Sequence, residues 1–237
     1  LDPQAVEAAI RPDRITSPST GLICLENTHY RCGGTVLSPE QINAVCEVSR
    51  RHGLPTYLDG SRIFNAAVYL GIDVKELVRE VDSLMFCLSK GLSAPAGSLL
   101  VGSRDFIRRA RKTRQMLGGG MYQTGVLAAA GIVALEQMVG RLADDHRNAR
   151  LLAEGLNEFK AISVDLDLVQ TNVVDLILVT EEITPAQLSE ELSRRGVLMP
   201  ARGETRMRAI THYGIEGEDI ETTLKEFRHI LEERGLN

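Results

Sequence analysis

The run Phe86-Cys87-Leu88-Ser89-Lys90-Gly91-Leu92-Ser93-Ala94-Pro95 decides how the rest of the chain is read. An apolar segment of strand length, Leu84-Met85-Phe86-Cys87-Leu88, leads into it. A second apolar run, Ser98-Leu99-Leu100-Val101, follows Pro95 and Gly97. Lysine is rarely buried without a partner, so a lone Lys90 between two expected core strands stands out. Burial would depress its pKa and suit the amine to Schiff-base chemistry. The same window, taken alone, also fits a lysine in an exposed loop.

Thirty-one residues earlier stands Asp59, in Pro55-Thr56-Tyr57-Leu58-Asp59-Gly60-Ser61-Arg62. An apolar strand ends there, Gly60 permits a tight turn, and Arg62 opens a helical pattern. In open α/β sheets, ligand-binding groups gather beyond the carboxyl ends of strands. An Asp at one strand end and a Lys after a nearby strand are what pyridoxal 5'-phosphate (PLP) requires: an amine for the Schiff base and an acid facing the pyridine nitrogen. The bland reading of Asp59 is a turn residue, since Asp-Gly is a common turn pair.

With these residues in register, the chain resembles the L-threonine aldolase family. The resemblance rests on five stretches in order. They are Leu25-Glu26-Asn27-Thr28-His29 with Gly33-Gly34, Leu58 to Ala67 (Leu-Asp-Gly-Ser-Arg-Ile-Phe-Asn-Ala-Ala), Cys87-Leu88-Ser89-Lys90-Gly91-Leu92, Leu117-Gly118-Gly119-Gly120-Met121 and Arg208-Ala209-Ile210-Thr211-His212. It implies a PLP-dependent aldehyde-lyase of amino acid metabolism with the aspartate-aminotransferase-like fold (fold type I). The reaction implied is retro-aldol cleavage of L-threonine or L-allo-threonine-like β-hydroxy-α-amino acids to glycine and an aldehyde. It implies Lys90 as the Schiff-base lysine, Asp59 as the partner of the pyridine nitrogen, and Arg62 and Arg208 as ligands of the substrate carboxylate. A cytoplasmic homo-oligomer, dimer or tetramer, is implied too, because active sites of this fold lie at subunit interfaces.

Three departures from the family pattern leave the chemistry open. Tyr122 stands where the family has an Arg after Gly-Gly-Gly-Met, and Thr16 where it commonly has a His. The resemblance further implies that the N-terminal part of the large domain, with a phosphate-binding turn and a ring-stacking His, is missing from this chain: a separate N-terminal fragment, a cleaved segment or a truncation. The alternatives are therefore another PLP-dependent reaction on amino acids, β-elimination or transamination, or a non-catalytic subunit.

Composition agrees with a soluble α/β protein. The chain has 237 residues, 43% of them apolar, with 4% aromatics and no Trp, so the expected core is aliphatic. A net charge of -5 argues against a general nucleic-acid binder. The longest apolar run, Gly125 to Leu135, is too short to span a bilayer. Cys24, Cys32, Cys46 and Cys87 form no C-x-x-C pair and read as reduced, mostly core thiols. The five His residues show no metal-ligand spacing, and no metal is expected.

In chain order, a short helix is expected over Gln4 to Ile10 and a strand over Thr20 to Asn27. Ser38-Pro39-Glu40-Gln41 opens a helix that stops near Gly53: N-cap Ser, Pro at N1 and Gln at N3. The strand to Asp59, helices over Ile63 to Leu70 and Val74 to Val78, and the strand before Lys90 give the alternation of a mostly parallel sheet with helices on both faces. Ser103 caps a basic helix whose cations read as a solvated face. Gly118-Gly119-Gly120 fits either an anion-binding nest or a hinge. Gly125 to Gly140 is apolar nearly all round, hence buried or at an interface. A charged helix then runs to about Phe159. Beyond it, strands are expected over Val164 to Leu168, Val173 to Val179, Val197 to Met199 and Met207 to Thr211. A capping box at Thr184 opens a helix to Arg195, and Ile220 to Leu231 is the last. The domains are accordingly 1-140, a partial PLP-binding large domain, and 141-237, a small α+β domain.

Overall fold

The computed structural model describes residues 1–236. The chain divides into two compact units. The first is Leu1–Thr28 with Val36–Gly140, and the second is His29–Thr35 with the residues from Arg141 onward. The sequence places the boundary at residue 140, but the seven residues from His29 join the C-terminal unit.

The first unit opens with helix α1 (Pro3–Ala8) and continues with strand β1 (Ile23–Glu26), α2 (Pro39–Arg51), β2 (Thr56–Asp59), α3 (Ile63–Leu70), α4 (Val74–Leu77), β3 (Ser83–Cys87), β4 (Ser98–Gly102), α5 (Arg104–Met116) and α6 (Gly125–Gln137). Its sheet has the order β1-β2-β3-β4, parallel from β1 to β3 and antiparallel at β4. The expected capping box forms: the Ser38 amide donates to Gln41 Oε1 at 2.9 Å and the Gln41 amide to Ser38 Oγ at 3.3 Å. Leu25, Leu58 and Leu84 share one sheet face and pack with Ile42, Val45, Ile63, Ala66 and Leu77 of the helices. The aliphatic core follows from this alternation, since successive side chains of a strand point to opposite faces. The other face carries Cys24, Tyr57, Asp59, Met85 and Cys87, none of them buried.

Helix α6 is as apolar as its sequence, yet only Gly131 and Ala134 are buried, while Val126, Ile132, Val133 and Leu135 are exposed. Its burial is therefore not achieved within the described residues. Helix α5 has no buried residue, and its basic face is solvated. The cysteines depart from expectation: all four are free thiols, but only Cys46 is buried. Cys24 and Cys87 lie in apolar runs but project from the open sheet face.

The second unit contains α7 (Leu142–Leu156), β5 (Ile162–Ser163), β6 (Val173–Leu178), α8 (Pro185–Arg194), β7 (Arg206–Ile210) and α9 (Gly217–Glu233). Its sheet is antiparallel, β5-β6-β7. Leu152, Leu156, Leu176, Leu188, Leu192, Phe227 and Ile230 form its core.

Two expected strands are corrected. Val164 to Leu168 is not a strand; β5 ends at Ser163 and Leu166–Leu168 is a 3-10 turn. Asp165 accepts from the Asp167 amide at 3.1 Å, and such local bonds compete with a sheet ladder. Val197 to Met199 is not a strand either. The Val197 amide bonds to Leu192 O at 2.9 Å, closing the end of α8 behind Gly196 in its left-handed conformation. Pro200 then has no amide to offer β7. What remains there is an isolated bridge between Ala201 and Met207.

Candidate functional site

Asp59 is the last residue of β2, and Met85 of β3 lies beside it in parallel register. Its Oδ1 accepts from the Ser61 amide at 3.0 Å and from Ser61 Oγ at 2.7 Å. Its Oδ2 makes no hydrogen bond among the described residues. Ser61 also touches the sulfur atoms of Met85 and Cys87. The turn reading of Asp59 is thus correct locally and does not exhaust the residue, since half of the carboxylate is left over. Gly60 is required here by space. An added Cβ would sit 2.8 Å from the Met85 carbonyl oxygen, and the Gly60 amide already donates to that oxygen at 2.9 Å. Arg62 follows as the N-cap residue of α3 and is half-buried.

Lys90 lies in the connection between β3 and β4. Its carbonyl accepts from the Ser93 amide at 2.9 Å, and Leu88 is tied to Gly97 and Ala94 by bonds of 3.0 Å. Gly91, Leu92 and Ala94 are buried beneath the turn, so the loop is anchored. The side chain of Lys90 is exposed and has no hydrogen bond or ion pair among the described residues. Of the two readings of this window, the lysine in an exposed loop is the one found. The apolar runs on either side are strands, but the lysine itself sits outside them on the turn. Asp59 ends β2, Arg62 follows it at the start of α3, and Lys90 lies on the turn after the neighbouring strand β3, so all three belong to the carboxyl-end side of the first unit's sheet.

Arg208 belongs to the second unit. It lies on β7 directly opposite Asp175 of β6. It is 6% exposed and gives Nε and Nη2 to the two oxygens of Asp175, the second at 2.5 Å. Its Nη1 donates to the Tyr30 carbonyl at 2.7 Å. The Tyr30 ring lies 4.3 Å from the Arg208 guanidinium and 4.9 Å from that of Arg202, which also donates to the Tyr30 hydroxyl. The hydrogen bonds it donates to Asp175 hold the Arg208 pKa above its ordinary value, against the opposing effect of burial. Burial raises the Tyr30 phenol, but the two guanidiniums outweigh it and lower its pKa.

A groove of about 530 Å³ opens in this unit, with Arg208, Arg202, Tyr30 and Thr211 in its wall and apolar residues such as Met199 and Ile220 beside them. The bonds to Asp175 and to the Tyr30 carbonyl engage three of the five guanidinium N–H groups of Arg208. Arg206, the other cation of this strand, is exposed and lies outside this groove.

Sequence reasoning missed Asp175 and Tyr30. Asp175 had a signal: it alone interrupts Val173-Val174-Asp175-Leu176-Ile177-Leu178, and a carboxylate inside an apolar strand needs a cation. Tyr30 had none, being 178 residues from the guanidinium it underlies. The Gly33-Gly34 pair now has a physical reason. Gly34 has φ +77°, and a Cβ there would meet Val173 Cγ2 at 2.9 Å. Among the described residues no cluster of three or more His, Cys, Asp and Glu could hold a metal ion.

A mostly parallel sheet with an anchored Lys turn beside a strand-end Asp, followed by an antiparallel α+β unit, is the fold-type I arrangement of PLP-dependent enzymes. Solved structures agree. Leishmania major threonine aldolase matches with a TM-score of 0.77 at 18% identity, covering 98% of this chain and 67% of that one. Sphingomonas wittichii serine palmitoyltransferase matches with 0.72 at 20%, covering 99% and 59%. Residues 1–178 match the beta-eliminating lyase family. The chain is 44% identical over 234 residues to low-specificity L-threonine aldolase 1 of Arabidopsis thaliana, covering 98% of this chain and 65% of that protein. It is 40% identical over 244 residues to the low specificity L-threonine aldolase of Escherichia coli K12, covering 98% and 70%. The chain belongs to the beta-eliminating lyase family and, within it, to the threonine aldolases. It spans a little under two thirds, 65%, of the length of the Arabidopsis relatives.

Proposed function

We propose that this chain is part of a PLP-dependent aldehyde-lyase that cleaves L-threonine or L-allo-threonine-like β-hydroxy-α-amino acids to glycine and an aldehyde. One observation carries the reading: Lys90 and Asp59 stand at the carboxyl ends of adjacent parallel strands, each with a functional group left unengaged. That donor set fits PLP, which needs an amine for its carbonyl and an acid for its ring nitrogen. PLP, when bound, supplies the electron sink for the pair left on Cα when the Cα–Cβ bond breaks.

Lys90 offers its amine on an anchored turn and is free to swing, because no partner must be broken. Asp59 keeps one oxygen on Ser61 and presents the other, holding a proton on the ring nitrogen. Arg62 and Arg208 take the substrate carboxylate. Arg208 lines the groove, and its planar guanidinium is the kind of group that grips a carboxylate. The first unit, within 1-140, acts as the cofactor-binding part, and residues 141-237 as the small domain. We place the protein in the cytoplasm as a homo-oligomer. Four free thiols support a reducing compartment, and the exposed apolar side chains of α6 support a further packing partner. No single helix among the described residues is long and apolar enough to cross a membrane.

The test is an absorption spectrum with added PLP, before and after borohydride, followed by peptide mapping and product analysis with L-threonine. Label on Lys90, lost in Lys90→Ala, with glycine and acetaldehyde as products, supports the reading. Label spread over surface lysines would sink the cofactor site. Products other than glycine and an aldehyde would replace the aldol cleavage by β-elimination or transamination.

A further inference from the structure

Arg208 is held on three sides. Asp175 takes its Nε and Nη2, the Tyr30 carbonyl takes one N–H of Nη1, and the guanidinium carbon lies over the Tyr30 ring. Asp175 fixes the plane of the fork but not its tilt, because a planar ion pair can still rock about its own axis. A ring 4.3 Å from the guanidinium carbon removes that freedom on one side. Tyr30 is itself held at both ends. Its hydroxyl accepts from Arg202, and its backbone lies in a tight segment closed by His29 N to Thr35 O at 2.9 Å and Gly34 N to His29 O at 3.0 Å. Thr171 Oγ1 binds Gly34 O at 3.1 Å and fixes that segment to the unit.

We propose that Tyr30 is a positioning residue that fixes the guanidinium of Arg208 in the wall of the groove, and so sets the affinity for the carboxylate of the amino-acid ligand. This rests on the reading that Arg208 takes that carboxylate. The ring restrains the guanidinium, and the hydroxyl accepts from Arg202. Tyr30 touches neither ligand nor cofactor in this role; it acts through the guanidinium.

The experiment uses the PLP-loaded protein and two amines, glycine and methylamine, titrated by the change they cause in the cofactor absorption band. Methylamine is glycine without the carboxylate, so it reports amine binding alone. Tyr30→Leu removes the ring and keeps the carbonyl. It is expected to weaken glycine binding about tenfold, as a lost partly desolvated cation–π contact implies, and to leave methylamine within about twofold. The KM for L-threonine should rise by a similar factor while kcat stays within about twofold. Tyr30→Phe, which keeps the ring, should bind glycine within about threefold of the natural protein.

Glycine binding unchanged in Tyr30→Leu, or glycine and methylamine weakened by the same factor, would overturn the proposal; the second result means a merely structural loss. If Tyr30→Leu does not fold, Tyr30→Met supplies the same comparison with an unbranched apolar side chain. Arg208→Gln separates the two layers. If it binds glycine normally, the carboxylate reading of Arg208 is wrong and the Tyr30 proposal falls with it. If it loses glycine while Tyr30→Leu does not, only the role of Tyr30 falls.

Discussion

Lys90 and Arg208 are the two cations on which the functional reading turns, and the protein holds them in opposite ways. Lys90 rides on an anchored turn, exposed and without a side-chain partner. Arg208 is buried in a strand and bound by a carboxylate, a carbonyl and an aromatic ring. The contrast extends to their surroundings. The first unit carries Asp59 on an open sheet face and Lys90 on the turn beyond β3, over an aliphatic core. The second buries Asp145, Asn172, Arg208 and Thr211 and satisfies them internally. Thr211 Oγ1, for example, donates to Asp145 O at 2.6 Å. A residue that must react needs freedom, whereas one that must grip a fixed geometry needs restraint. Substitution of the exposed Lys90 should therefore cost function without stability, and substitutions around the buried Arg208 should cost both.

The largest effect should come from Lys90→Ala. Loss of the proposed Schiff-base amine is expected to lower kcat by about three orders of magnitude or more, in line with the loss of a covalent group. The melting temperature without cofactor should stay unchanged, because an exposed side chain without partners contributes within about 0.5 kcal/mol. A large drop in melting temperature would break the contrast. Asp175→Ala should do what Lys90→Ala does not. It strands a buried guanidinium and is expected to cost roughly 3 kcal/mol, read by denaturant unfolding.

Acid should act on the second unit as well. Burial is the main cause that depresses His146 to about 4, although neighbouring Asp145 pulls the other way. A histidine with a lowered folded pKa binds its proton more readily when unfolded. Its stabilising contribution is complete above the unfolded value near 6.5 and is lost as pH falls from there toward about 4. Roughly 3 kcal/mol at most is at stake over that interval. His146→Leu should flatten this part of the stability–pH curve, and a curve unchanged by the substitution would rule out His146 as its source.

Gly34→Ala should cost about 2 kcal/mol, through its left-handed backbone and the approach of Val173. It should also weaken glycine binding, because the segment that carries Tyr30 hangs on it. The smallest effect is expected of Ser38→Ala, about 1 kcal/mol from the capping box of α2 with no change in catalysis. If Ser38→Ala lowered kcat more than Gly34→Ala, the separation of the two regions would be wrong.

The sequence by itself determined most of the regular structure. Helices α2 and α8 were legible because their capping boxes are local chemistry, written in four residues each. Strands β2 and β3 and the turn after each were legible from apolar runs ended by Asp-Gly and by Lys-Gly. Asp59, Arg62 and Lys90 could be named because each is tied to such a boundary, and family resemblance added Arg208. Only the tertiary structure decided the rest. Lys90 proved exposed because the turn, not the flanking strands, sets its burial. The segment from Val197 stayed out of the sheet because the end of α8 and Pro200 claim its backbone. Asp175 met Arg208 through strand register, and Tyr30 reached the guanidinium from 178 residues away. Caps, turns and periodicity are short-range and survive in a string of letters. Register, burial and contacts between distant segments are fixed by packing, and no window of sequence contains them.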